Sequence, residues 1–205
     1  MKIDRRLNPA IGYGGALIVF PIIYLKYYNN ITLYSTLLLV LWVSHFGKRI
    51  AENIWVHIHT EKTIEISMCI GMWIYYIGFG YWNAEALFQS MIEPNFMSTI
   101  ATLLFIACSA GNGICHYMLR KLKLDNPNRR TYPRGFLFEY VSCPHYFCEI
   151  MMWFAFTLLT RTFAAATFFV ATLIILSMWS KERHEKYKKM DGFPSSRKSL
   201  VPFLY

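Results

Sequence analysis

Six apolar runs separated by short polar loops dominate this 205-residue chain: Ile11–Tyr28, Ile31–Phe46, Ile66–Ala84, Met97–Leu119, Tyr146–Thr160 and Phe163–Ser180. A helix crossing a bilayer core needs roughly 17–25 predominantly apolar residues. The second and fifth runs are short, so they are expected to extend into flanking residues or to sit in a thin membrane. Few polar faces alternate with the apolar ones, which excludes a soluble bundle of amphipathic helices. Charged residues make up only 16% of the chain, against about a quarter in soluble domains. The expected fold is all-α: one polytopic membrane bundle of about six transmembrane helices over residues 1–205, with a tail from about 181 to 205.

Charge gives that bundle a direction. With both termini on the cytoplasmic side, 19 of the 21 Lys and Arg residues fall on that side, and only Lys26 and Arg161 fall opposite. The far-side loop at 85–95 is acidic instead. Cytoplasmic loops of membrane proteins are enriched in Lys and Arg in this way. The net charge of +9 therefore reflects topology rather than nucleic-acid binding, and it suits an anionic ligand at the cytoplasmic face. The five cysteines, at 69, 108, 115, 143 and 148, form no CxxC pair. They read as buried thiols, not as disulfides or zinc ligands. No cleavable signal peptide is expected, since the first apolar run is too long and aromatic.

Ionisable residues that spanning does not require point to function. One cluster closes the second run, from His45 through Lys48, Arg49 and Glu52 to Trp55 and His57; at helical spacing His45, Lys48 or Arg49, Glu52 and Trp55 share a face. A second places Asn112, His116, Arg120 and Lys123 at i, i+4, i+8 and i+11. That makes one polar stripe, suited to a phosphate-rich ligand lying along a helix. The third runs from Tyr132 to Glu149. Pro144 is placed to start a helix, with Tyr146 and Glu149 three apart on one face, and a carboxylate in a span is costly unless paired or functional. Behind them a helix is expected to continue to about Met190, turn at Gly192 and Pro194, and fold the last apolar segment back onto the bundle.

Absences narrow the chemistry. The chain has no GxGxxG after a strand and no GxxxxGK[ST]. The pair His57 and His59, with His45, His116, His145 and His184, does not form the histidine boxes of membrane di-iron enzymes, so no metal is expected. No Ser/His/Asp order suggests a hydrolase.

Several segments resemble the steroid 5α-reductase family: Pro133-Arg-Gly-Phe-Leu-Phe-Glu-Tyr-Val-Ser142, His145-Tyr-Phe-Cys-Glu149, Arg183-His-Glu-Lys-Tyr187 and Ser196-Arg-Lys-Ser-Leu-Val-Pro-Phe203. Further segments are similar to its very-long-chain trans-2-enoyl-CoA reductase branch. These are Leu7-Asn-Pro-Ala-Ile-Gly-Tyr13, His45-Phe-Gly-Lys-Arg-Ile-Ala-Glu-Asn-Ile-Trp-Val-His57, Gly111-Asn112 with His116 and Leu119-Arg120, and Val141-Ser-Cys-Pro144 with Tyr146. The resemblance runs over nearly the whole chain, and the order and spacing of its motifs make it specific.

The resemblance implies a helical bundle in the endoplasmic reticulum membrane, with NADPH bound among the later helices and cytoplasmic loops. It assigns Asn112, His116, Arg120, Lys123, His145, Glu149, Tyr187 and Arg197 to the cofactor. It assigns Lys48 and Tyr146 to catalysis, with His45 and Glu52 on the substrate side. Three departures stand out. Phe46 replaces a tyrosine that commonly donates the proton, which moves the acid role to Tyr146. His145 replaces an asparagine, and the first run lacks the glutamate that the steroid branch places near its ketone. The implied activity is NADPH-dependent reduction of the trans-2 double bond of very-long-chain enoyl-CoA, the last step of fatty-acid elongation, with the lipid bilayer and other elongation enzymes as partners and no nucleic acid. The alternatives are a sterol or polyprenol double-bond reductase of the same family, a membrane methyltransferase, or a non-catalytic subunit of an elongation complex.

Overall fold

The computed structural model describes residues 1–5, 7–58, 63–127 and 131–201, with Met68 described by its backbone alone. Of the features above, Arg6, His59, Lys62, Arg129, Arg130 and the ending 202–205 lie outside the described residues. Six α-helices carry the rest: α1 (Leu7–Lys26), α2 (Leu33–Ala51), α3 (Ile66–Ser90), α4 (Phe96–Asp125), α5 (Pro144–Thr160) and α6 (Phe163–Lys188). Each expected apolar run falls largely on its own helix. By length and composition α1, α4 and α6 are long and apolar enough to cross a membrane.

The two short runs behave differently. The second gains length, because α2 continues past Phe46 to Ala51. The fifth does not: α5 has 17 residues, roughly 25 Å at 1.5 Å per residue. Pro144 stands at its first turn, where a missing N–H does no harm. At the other end Arg161 takes a left-handed φ of 49° and stops the helix.

The described chain divides into two compact units, Met1–Thr99 with Thr157–Phe168, and Ile100–Phe156 with Phe169–Tyr205. In the first unit α1 packs chiefly on α3 and also on α2. Small residues permit the close approach of α1 to α3, as in many membrane helix pairs: a Cβ on Gly80 would stand 3.3 Å from Ala16 Cα. Phe20 stacks on Trp42 at 4.5 Å, and the Trp42 indole donates to the Ala16 carbonyl at 3.0 Å. A reciprocal box begins α2, with Thr32 Oγ1 accepting from Ser35 N and Ser35 Oγ from Thr32 N; the backbone donors of Thr32 and Ser35 are thereby satisfied. Two short antiparallel strands, β1 (Lys2–Asp4) and β2 (Thr63–Glu65), pair in register. Outward-facing Ile18, Ile22, Ile74 and Trp82 leave apolar surface that lipid would cover.

In the second unit α6 runs beyond its apolar part. Its exposed extension carries Glu182–Lys186 and Glu185–Lys188 ion pairs, the i,i+4 and i,i+3 spacings that support a solvated helix. Gly192 then turns the chain with φ 71°, and its carbonyl accepts from the Tyr132 hydroxyl. The returning tail pairs with residues 140–143, with Ser142 N donating to Lys198 O at 2.9 Å and Cys143 N to Ser199 O at 3.1 Å. Ser180 Oγ meets Ser199 Oγ at 2.8 Å, and Leu200 buries with Ile150 and Leu176. The expected fold-back is therefore present as far as Val201.

Candidate active site

In the first unit, the end of α2 gathers buried charge. Arg49 Nη1 pairs with Glu52 Oε2 at 2.7 Å and Nη2 donates to the Tyr13 hydroxyl at 3.2 Å. Lys48 Nζ lies 3.5 Å from the other Glu52 oxygen. Glu52 thus stands between two cations, and the Lys48 ammonium stays partly accessible. His45 is buried edge-on against Phe46 at 5.0 Å.

The shared face expected here needs one correction. His45, Arg49 and Glu52 are buried, but Trp55 is 68% exposed. The chain turns π-helical over Glu52–Val56, and the wider turn rotates later side chains off the face that an α-helix would have kept. Phe46 is fully buried, packed by Trp42 at 4.8 Å, Tyr76 at 6.0 Å and Tyr13 at 6.1 Å. The Leu7–Tyr13 segment that carries the resemblance thus ends on a hydroxyl bonded to Arg49, a link no spacing in the sequence marks.

The second unit brings together the cofactor candidates from α4, α5, α6 and the tail. On α4 the expected stripe forms: Asn112 and His116 are buried, and Lys123 reaches the surface. Asn112 Nδ2 donates to the His145 carbonyl at 2.9 Å, tying α4 to the first turn of α5. The His145 ring is buried between His116 at 5.2 Å and Tyr146 at 4.2 Å. Glu149 follows, buried, one turn on. Burial and the nearby Arg183 push Lys123 below its ordinary range. Burial pushes the Cys143 thiol up to about 11, so it stays protonated at neutral pH and is no nucleophile.

From α6, His184 shares a 2.7 Å hydrogen bond with Ser142 Oγ. Burial raises the Tyr187 phenol, with Arg183 opposing. Arg197, 3% exposed, donates through Nη1 to the Pro133 carbonyl at 2.8 Å. Its guanidinium lies 5.2 Å from the rings of both Tyr132 and Phe193. Among the described residues its Nε and Nη2 have no hydrogen-bond partner. A buried cation with two unsatisfied donors is costly by itself and fits an anionic oxygen cluster such as a phosphate. Arg197 in this unit therefore suits an anionic, phosphate-bearing ligand. Lys48 belongs to the first unit and Tyr146 to the second.

The chain is similar to several known proteins. A very-long-chain enoyl-CoA reductase of Dictyostelium discoideum is 34% identical over 210 residues, covering 94% of this chain and 67% of the relative. A human trans-2,3-enoyl-CoA reductase-like protein is 26% identical over 170 residues, covering 78% of this chain and 47% of that protein. Human 3-oxo-5-alpha-steroid 4-dehydrogenase 1 is 39% identical over 90 residues, 43% of this chain and 35% of its own length. The chain thus spans about half to two thirds of the first two relatives. The family model for 3-oxo-5-alpha-steroid 4-dehydrogenase matches residues 62–205. The chain belongs to the 3-oxo-5-alpha-steroid 4-dehydrogenase family, among relatives named very-long-chain enoyl-CoA reductase.

Proposed function

We propose that this protein is an NADPH-dependent oxidoreductase that saturates the trans-2 double bond of very-long-chain enoyl-CoA, the closing step of fatty-acid elongation. The observation that carries the cofactor half is the buried Arg197 with its two unsatisfied donors. Asn112, His116, Arg120, Lys123, His145, Glu149, Tyr187 and Arg197 would hold the cofactor. When bound, NADPH supplies a hydride to C3 of the enoyl group. Negative charge then develops on the thioester oxygen. We assign Lys48, held by Glu52, to stabilise that oxygen, Tyr146 to protonate C2, and His45 with Glu52 to the substrate side. Cations and phenols placed where charge develops are among the largest contributors to such catalysis.

In this reading all six helices cross the endoplasmic reticulum membrane and both termini face the cytoplasm, with residues 1–205 as one membrane-embedded domain and a tail from about 181. The placement of basic residues supports this orientation. Other elongation enzymes are its expected partners. A second reading is a sterol or polyprenol double-bond reductase, favoured by the identity to the human steroid dehydrogenase over 90 residues.

The test is NADPH consumption by the purified chain with a long-chain trans-2-enoyl-CoA, an enone steroid or a polyprenol. Consumption with the enoyl-CoA is expected. Consumption with the steroid or polyprenol alone would establish the second reading. Binding of S-adenosylmethionine without NADPH would indicate a methyltransferase, and no turnover of any substrate would leave a structural subunit.

A further inference from the structure

Arg183 has no role in the chemistry above, yet its setting differs from that of its neighbours on α6. Lys186 and Lys188 are exposed and paired with Glu182 and Glu185. Arg183 is half-buried, and among the described residues it makes no ion pair with a carboxylate. Two phenols stand against it, with Cys143 and Lys123 also near. The guanidinium carbon stands 5.7 Å from the centre of the Tyr146 ring, and the Tyr187 hydroxyl, one turn further along, engages the same group. Burial works against its charge, while Tyr146, Tyr187 and Cys143 raise its pKa above the ordinary value.

Trp179, at i−4 from Arg183, also faces Tyr146, with ring centres 6.3 Å apart. Residues four apart lie on one helix face, so α6 presents an indole and a cation side by side to the same phenol. His145 closes the ring on α5 at 4.2 Å. A guanidinium over an aromatic face is attracted by the ring quadrupole, and more strongly where water is displaced. A cation beside a phenol also stabilises negative charge that grows on its oxygen as the proton leaves.

We propose that Arg183 is a positioning residue for the reduction: with Trp179 it fixes the Tyr146 ring and lends it the positive potential needed during proton donation. This rests on Tyr146 being the proton donor. The experiment compares full-length Arg183→Leu, Arg183→Lys, Tyr146→Phe and the Arg183→Leu/Tyr146→Phe double variant in steady-state reduction of a long-chain trans-2-enoyl-CoA by NADPH. Arg183→Leu is expected to lower kcat about tenfold with the KM for NADPH little changed, since a desolvated cation–π contact and its field are of that order. Arg183→Lys should recover most of the loss. In the Tyr146→Phe background, Arg183→Leu should add no further loss.

An unchanged kcat in Arg183→Leu overturns the proposal. So does a loss confined to the KM for NADPH, which would make Arg183 a cofactor contact, or an undiminished loss on top of Tyr146→Phe. If Arg183→Leu does not fold, Arg183→Gln carries the same readouts. Absence of turnover in the unsubstituted protein would remove the proton-donor reading as well, whereas an active protein indifferent to Arg183 would remove this proposal alone.

Discussion

The Asn112 side chain donates a 2.9 Å hydrogen bond to the backbone carbonyl of His145, joining the middle of one apolar helix to the first turn of another. Both residues are buried. The amide therefore serves the fold and sets where the His145–Tyr146–Glu149 turn begins. Asn112→Ala should lower stability by about 1–3 kcal/mol, the cost of leaving a buried polar group unmatched. It should also weaken NADPH binding, because the displaced turn carries several cofactor candidates. Thermal melting in detergent, with and without NADPH, checks both effects.

Tyr146→Phe removes only the phenolic oxygen and keeps the ring packed beside His145 and Trp179. The expected outcome is a loss of roughly 100–1,000-fold in kcat, the scale set by a well-placed donor. NADPH binding should be nearly intact. Normal turnover in this variant would return the acid role to another group.

Arg197→Leu tests the cofactor assignment. Hydrogen bonds to charged partners contribute about 1.5–3 kcal/mol, so the KM for NADPH should rise roughly 10- to 100-fold. The KM for enoyl-CoA should stay close to that of the unsubstituted protein. A cofactor KM unmoved by the substitution would mean that the two unsatisfied donors of Arg197 serve something else.

His184 gives the tail a pH dependence. Burial, with Lys188, Arg197 and Lys198 nearby, holds its imidazole below the ordinary value of 6.5, and Glu185 opposes them. The folded protein therefore binds fewer protons at this site than the unfolded chain between those two values. The linked stability is complete above about pH 6.5 and is lost as pH falls through the depressed folded value. Melting curves from pH 8 down to about 5 should show this decline. His184→Gln, which can still bond Ser142, should flatten it.

The apolar runs by themselves determined that this chain is helical and membrane-like, because their length and their poverty in charge allow no other way to bury them. The Asn112–His116–Arg120–Lys123 stripe was legible for the same reason: a 3.6-residue period puts those side chains on one face whatever surrounds them. The start of α5 at Pro144 was legible too, since proline is accepted at a first turn and not inside one.

Tertiary structure decided the rest. No periodicity shows that α2 widens at Glu52 and turns Trp55 outward, or that Arg49 reaches both Glu52 and the Tyr13 hydroxyl of α1. Nor does the sequence reveal that Arg183 faces phenols while Lys186, three residues on, faces a carboxylate; both read as topology-setting cations. Burial separates them, since only a charge drawn out of water has its neighbours chosen by the fold. The six apolar runs fix that the helices exist and roughly where each lies. Which cation meets Tyr146, and which keeps two donors unsatisfied beside Tyr132, follows from contacts between segments as far apart in sequence as Pro133 and Arg197.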